Sequence, residues 1–259
     1  MVELDPVIHS FYRDRYVEGD RLVVNGHGRL EFVRTQELLR RWLPPAADVL
    51  DVGGATGVHA RWLAADGHRV TLVDAVPEHV ATAAAIGTFA AEVGDARALR
   101  QADASVDVTL LLGPLYHLVE AADRARALAE AVRVTRPGGI VVAAAINRYG
   151  GLLEAGSNGT LTEENLPLFA EAFASGRIDG SYGFTVAYFH HADELATELR
   201  TAGLADVDVL GVEGPAANIL QNAAPDRIDD LLPSAVLFAR RVESDPRLLA
   251  GSQHFLGYG

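Results

Sequence analysis

A chain of 259 residues that is 49% hydrophobic and 22% charged has enough apolar material for one large core, so one domain with elaborations is expected rather than two equal ones. Its 22 basic and 35 acidic residues leave a formal charge of −13, with the acid dispersed rather than gathered into a tail; this disfavours nucleic acid or an anionic membrane as main partner and favours a neutral or cationic small molecule. Cysteine is absent and every basic residue is arginine, which excludes disulfides, thiolate nucleophiles, Cys-ligated zinc, iron–sulfur clusters, Schiff bases, a Walker A lysine and a Tyr-x-x-x-Lys pair.

The N-terminus, MVELDPVIHSFYRDRY, has no basic stretch followed by an apolar one, and no apolar run approaches the ~18 residues of a membrane span, so a soluble, cytoplasmic protein is expected. The segment up to Trp42 reads as helical and ends at Pro44-Pro45; it carries Tyr12, Tyr16, Arg13, Arg15 and Arg21 ahead of the first strand. Strand-like runs follow at Asp48–Val52, Arg69–Val73, Thr88–Val93, Val106–Leu112 and Ile140–Ile146, separated by helical patterns at His59–Ala65, Glu78–Ile86 and Arg124–Thr135. Strand and helix in alternation predict parallel βαβ units, and continuously apolar strands predict a sheet covered on both faces.

Residues 148–188 break that rhythm with glycines, aromatics and one helical piece, Glu163–Ala174, and are expected to form a lid. Thereafter His191–Ala202 reads as a helix closed by Gly203, Asp206–Val212 as a strand, Ile228–Val242 as an amphipathic helix, and SQHFLGYG as a last short strand. The predicted divisions are a cap at 1–44, a core at 45–147, the lid at 148–188 and the remaining sheet and helices at 189–259.

Within VLDVGGATGVHARWL, residues 49–63, an apolar run collapses into glycines and resumes as a helix. A turn after the first strand of an open α/β sheet lies where ligands bind. Gly53, Gly54 and Gly57 do not fit G-x-G-x-x-G, and no lysine is present for a P-loop. Asp51, Asp74 and Asp95 follow one another at intervals of 23 and 21 residues, each at or near the end of a strand-like run. Three carboxylates then converge on one sheet edge, unless each only caps the helix after its strand. An acidic rim suits a nucleoside carrying a positive centre and little negative charge, a description that S-adenosylmethionine meets.

The successive segments VLDVGGATG, VTLVDAVPEHV, VGDARAL, VDVTLLLGPLYHL and RPGGIVV resemble the motifs of class I S-adenosylmethionine-dependent methyltransferases, over roughly residues 45–146. GPLYHL, with the later YFHHADELATELRTAGL and VEGPA, is similar to a small-molecule, methyltransferase type 11-like branch. The resemblance implies a Rossmann-like α/β sheet of seven strands, six parallel and the last antiparallel, with helices on both faces. It implies that Asp51, Gly53, Gly54, Ala55 and Gly57 shape the pocket for the methionine end, that Asp74 takes the ribose diol, that Asp95 and the Ala96 amide read adenine, and that the Leu112 carbonyl meets the amino group. Tyr12, Tyr16 and Arg21 would close over the cofactor, although Arg21 equally suits a surface ion pair. Ala55 stands where the family usually has glycine; a left-handed backbone there costs ~1–2 kcal/mol, so either a negative φ at Ala55 or a slightly reshaped loop is expected.

Methyl transfer needs alignment more than acid–base groups. A hydroxyl acceptor still gains from a base titrating near working pH, and His117 is the first candidate; the alternative is a ring that caps or packs the next helix. Tyr116 either contacts the substrate or packs in the core. His190 and His191 at a helix start are expected as one cap and one solvent-facing ring. Neither H-x-x-x-H nor an acid in place of Gly113 occurs, so no metal is expected. The expected activity is methyl transfer to nitrogen or oxygen of a small molecule, in secondary metabolism, with S-adenosylhomocysteine as product. The alternatives are a protein or RNA methyltransferase, or a non-methylating binder of the cofactor.

Overall fold

The computed structural model describes residue 22, residues 25–180 and residues 184–259; Tyr12, Tyr16 and Arg21 of the predicted cap lie outside the described residues. α1 (Gly26–Trp42) starts where the Asn25 side chain accepts the Gly28 amide at 2.6 Å, and ends with Arg40 and Arg41 against the negative end of its dipole. β1 (Asp48–Val52), α2 (Val58–Ala65), β2 (Arg69–Asp74), α3 (Pro77–Ala84) and β3 (Ala90–Val93) follow, then β4 (Val106–Leu111), α4 (Pro114–His117), α5 (Ala121–Val134) and β5 (Thr135–Ile146).

The lid segment contains α6 (Gly150–Asn158), α7 (Leu166–Ser175) and an antiparallel pair, β6 (Arg177–Asp179) with β7 (Val186–Tyr188). Neither α6 nor this hairpin was expected. α7 begins later than its apolar pattern, because Thr162 and Asn165 exchange side-chain-to-backbone hydrogen bonds at 2.8 and 3.2 Å, holding 162–165 in a turn. α8 (Ala192–Thr201), β8 (Asp208–Gly211), α9 (Ala217–Gln221), α10 (Ile228–Val242) and β9 (His254–Tyr258) complete the chain.

Seven strands form one sheet in the order β3-β2-β1-β4-β5-β9-β8. β1 to β5 pair in parallel, and β9 runs antiparallel to both β5 and β8, so six strands share a direction and the last opposes them. Alternation divides the core in two. Leu50, Val52, Leu111, Val141, Ala143 and Phe255 pack on one face with Leu128 and Ala131 of α5 and Leu195 and Leu199 of α8. Val49, Val108, Leu110, Val142, Ala144 and Leu256 pack on the other with Leu38 and Leu39 of α1 and Leu63 of α2. Sheet order reverses beside β1, which lies between β2 and β4. The turn after β1 therefore opens into the crevice at the switch point, and β9, running backwards, brings its first residue to that same end.

Candidate active site

The β1–α2 turn is held open by contacts that no side chain larger than hydrogen would allow. Gly53 has φ +73° and donates its amide to the Val73 carbonyl at 2.7 Å; a Cβ there would stand 2.7 Å from the Pro114 ring. A Cβ on Gly54 would meet Asp51 Oδ2 at 2.6 Å. Ala55 has φ +48°, so the negative φ that would have avoided the strain is not adopted and the turn carries a left-handed alanine. Its amide donates to Asp74 Oδ2 at 2.9 Å and that of Val76 to Asp74 Oδ1 at 2.9 Å. Asp74 thus ties the glycine turn to the end of β2, and each oxygen keeps a second lone pair.

Asp51 is fully buried, and neither carboxylate oxygen has a hydrogen-bond partner among the described residues. Burial, and then the neighbouring charge of Asp74, push its carboxyl up to about 7. Asp95 follows β3 and is held bidentately by Arg97, with Arg97 Nη2 at 2.7 Å and Nε at 3.0 and 3.2 Å; Arg97 also reaches Asp123 at 3.0 Å. Burial raises Asp95, but the hydrogen bonds and charge of Arg97 outweigh it and hold the carboxyl below its ordinary value. The acidic rim inferred from the three aspartates is therefore partly neutralised.

Asp51, Gly53, Gly54, Ala55, Asp74, Asp95, Ala96 and Leu112 all line one cavity of about 550 Å³, and Tyr116 and His117 of α4 line it too. Gly57 is not on that wall; it precedes α2 with φ +87°, where a Cβ would meet Phe89 at 2.6 Å. Burial pushes His117 down to about 4, against the smaller opposing effects of a hydrogen bond with the Val186 backbone and the charge of Asp74. The ring stacks 6.0 Å from Phe184 at 21°. At neutral pH it is uncharged and weakly basic, so the expectation of a base titrating near working pH gives way to a ring neutralised by its apolar surroundings.

His190 also departs from expectation. It is completely buried, with Nε2 3.4 Å from Glu198, while His191 N-caps α8 and donates its amide to Glu194 at 2.9 Å. No solvent-facing ring results, because the hairpin closes over that position. Arg124 of α5 binds Glu198 at 2.8 Å, donates to the Leu118 and Val119 carbonyls, and lies 3.7 Å from the Tyr188 ring centre. This buried guanidinium fastens the hairpin to the core.

Sequence reasoning missed Glu31, His79, Arg177 and His254 on the cavity wall. Only the antiparallel sense of β9 brings His254 there; that strand was legible, but its histidine had no motif to mark it. Among the described residues no helix is long and apolar enough to cross a membrane.

Residues 49–139 match the sequence family described as "Methyltransferase domain". Uncharacterized methyltransferases of Mycobacterium bovis and Mycobacterium tuberculosis are 41% identical over 101 residues; the match covers 38% of this chain and 40% of each relative's length. In three dimensions the chain is similar to a SAM-dependent methyltransferase of Thermotoga maritima (TM-score 0.59, 18% identity, 98% of this chain and 97% of that one). It is also similar to a Haemonchus contortus phosphoethanolamine N-methyltransferase solved with S-adenosyl-L-methionine (TM-score 0.57, 15% identity, 100% and 59%). A chain from the complex of the Haloferax volcanii Trm112 methyltransferase activator with its methyltransferase superposes at TM-score 0.60 with 20% identity, covering 98% and 96%. Residues 49–139 thus match a methyltransferase domain, and the chain has the Rossmann-like fold of the solved methyltransferases to which it is similar.

Proposed function

We propose that this protein is an S-adenosylmethionine-dependent methyltransferase acting on nitrogen or oxygen of a small molecule. The observation that carries the reading is the buried Asp51 carboxylate, without a hydrogen-bond partner among the described residues, on the wall of a cavity beside a glycine turn. A buried carboxylate in that state suits a ligand that brings positive charge and N–H donors. The residues present therefore fit the cofactor. When bound, S-adenosylmethionine supplies a methyl group already activated on a sulfonium.

In this reading the chain's own residues bind and align. Asp51 with the Gly53–Ala55 turn holds the cationic methionine end. Asp74, oriented by the Ala55 and Val76 amides, accepts the ribose hydroxyls. Asp95, steadied by Arg97, and Ala96 read the base, and the Leu112 carbonyl accepts a hydrogen bond from the amino group. Tyr116 and His117, with Phe184 stacked behind the imidazole, shape the acceptor's side and exclude water; a neutral His117 serves positioning better than proton abstraction. The net charge of −13 supports a small acceptor over RNA. A role in secondary metabolism remains part of the proposal, with the small-molecule branch.

The test is calorimetric titration with S-adenosylmethionine and S-adenosylhomocysteine. One equivalent of each should bind, and Asp51→Asn should weaken both while the variant stays folded by circular dichroism. Silence toward both ligands in the unmodified protein overturns the reading.

A further inference from the structure

Four ligating side chains that the methyl-transfer reading does not use meet at the carboxyl end of the sheet. His27 and Glu31 stand one turn apart on α1, Glu213 follows β8, and His254 opens β9; one ligating atom from each lies within 4.8 Å of all the others. Only His27 and Glu31 are linked by a local spacing, i and i+4; the pairs His27–Glu213 and Glu213–His254 are 186 and 41 residues apart.

The carboxylate of Glu213 is completely buried and oriented. Its Oε2 accepts the Ser252 hydroxyl at 2.8 Å and the His254 amide at 3.0 Å. Its Oε1 is left toward the imidazoles, 3.3 Å from His27 Nε2 and 2.5 Å from His254 Nδ1. Glu31 Oε2 stands 3.7 Å from that same Nδ1. The two imidazoles are nearly parallel, their centroids 5.7 Å apart at 19°. Outer partners that fix one oxygen and present the other are the usual support of a metal ligand.

We propose that His27, Glu31, Glu213 and His254 form a binding site for one divalent first-row transition ion. Two imidazoles and two carboxylates are a donor set for Zn²⁺, Co²⁺ or Fe²⁺ rather than an all-oxygen cage for Ca²⁺ or Mg²⁺. Ligand atoms about 2.0–2.2 Å from a tetrahedral ion stand about 3.4 Å apart, so the observed spacings close on an ion with small side-chain movements. Holding such an ion requires both imidazoles neutral and both carboxylates ionised, a donor set whose charge of −2 the ion would cancel. Glu31 and His254 also line the 550 Å³ cavity, so a coordination position left open on that side faces the cavity. The proposal departs from the expectation that the chain holds no metal, because the fold brings together side chains from three distant segments.

Metal binding is read with no cofactor present, so its failure and that of the methyltransferase reading are distinguishable. The untagged full chain, stripped with a chelator, is titrated with Co²⁺ while visible absorption is followed, and then with Zn²⁺. One equivalent of Co²⁺ should bind with visible d–d bands that Zn²⁺ abolishes. His27→Gln, on the first turn of α1, should weaken binding at least about 100-fold, beyond the loss of an outer partner, without lowering the melting temperature of the stripped protein by more than a few degrees. His254→Gln should do the same if it folds; if it does not, His27→Gln decides alone. Absence of stoichiometric binding in the unmodified chain, or binding that His27→Gln leaves unchanged, overturns the proposal.

Discussion

At the scale of single residues, Asp51 and His117 titrate in opposite directions for the same physical reason: burial disfavours whichever form is charged. Asp51 is raised from 3.8 to about 7, so between those values the folded state binds more protons than the unfolded one. Its contribution to stability therefore falls as pH rises through that window. Asp51→Asn should raise the melting temperature at pH 8, where the native carboxylate is ionised without compensation, and should weaken cofactor binding by at least about tenfold, the loss of one charge-assisted interaction. The native protein should release protons on binding S-adenosylmethionine between pH 6 and 7; calorimetry in buffers of differing ionisation heat reads this directly. His117, lowered from 6.5 to about 4, contributes stability that is full above 6.5 and lost as pH falls toward 4. His117→Ala should alter the acceptor's KM while adding or removing no limb near pH 6.5 in the kcat profile; disappearance of such a limb would restore the histidine as a base. Ala55→Gly relieves the φ +48° strain but loosens the unfolded chain, so a net gain of about 0–1 kcal/mol is expected in denaturant unfolding.

At the scale of elements, the lid depends on one buried cation. Arg124 is 3% exposed and joins α5, α8, the loop after α4 and the Tyr188 ring of β7. Arg124→Met keeps the aliphatic volume but leaves Glu198 beside His190 without its guanidinium. A loss of about 3–5 kcal/mol is expected, with amide exchange in 177–190 accelerating more than in β1 or β4. Uniform acceleration across the sheet would show that the lid and core open together. The sequence marked α10 to the residue because its amphipathic pattern runs uninterrupted to Val242. It missed α6, whose Gly150-Gly151 start carries no propensity signal, and the hairpin, whose strands of three residues are too short for alternation to register.

At the scale of the whole molecule, a ligand that binds only the folded chain stabilises it by mass action. S-adenosylhomocysteine at one hundred times its dissociation constant should contribute about 2.7 kcal/mol. At roughly 2–4 °C per kcal/mol for a chain of this size, this raises the melting temperature by about 5–10 °C; no shift at saturation would mean the cavity does not take it. Sheet class, the glycine turn and the three strand-end aspartates were legible in the sequence, because strand apolarity and turn chemistry act between near neighbours. Three outcomes were decided by tertiary structure alone: the capture of Asp95 by Arg97, the loss of basicity at His117, and the meeting of His27, Glu31, Glu213 and His254. Each depends on which distant side chains share a small, poorly hydrated space, and burial and through-space charge have no counterpart in linear order.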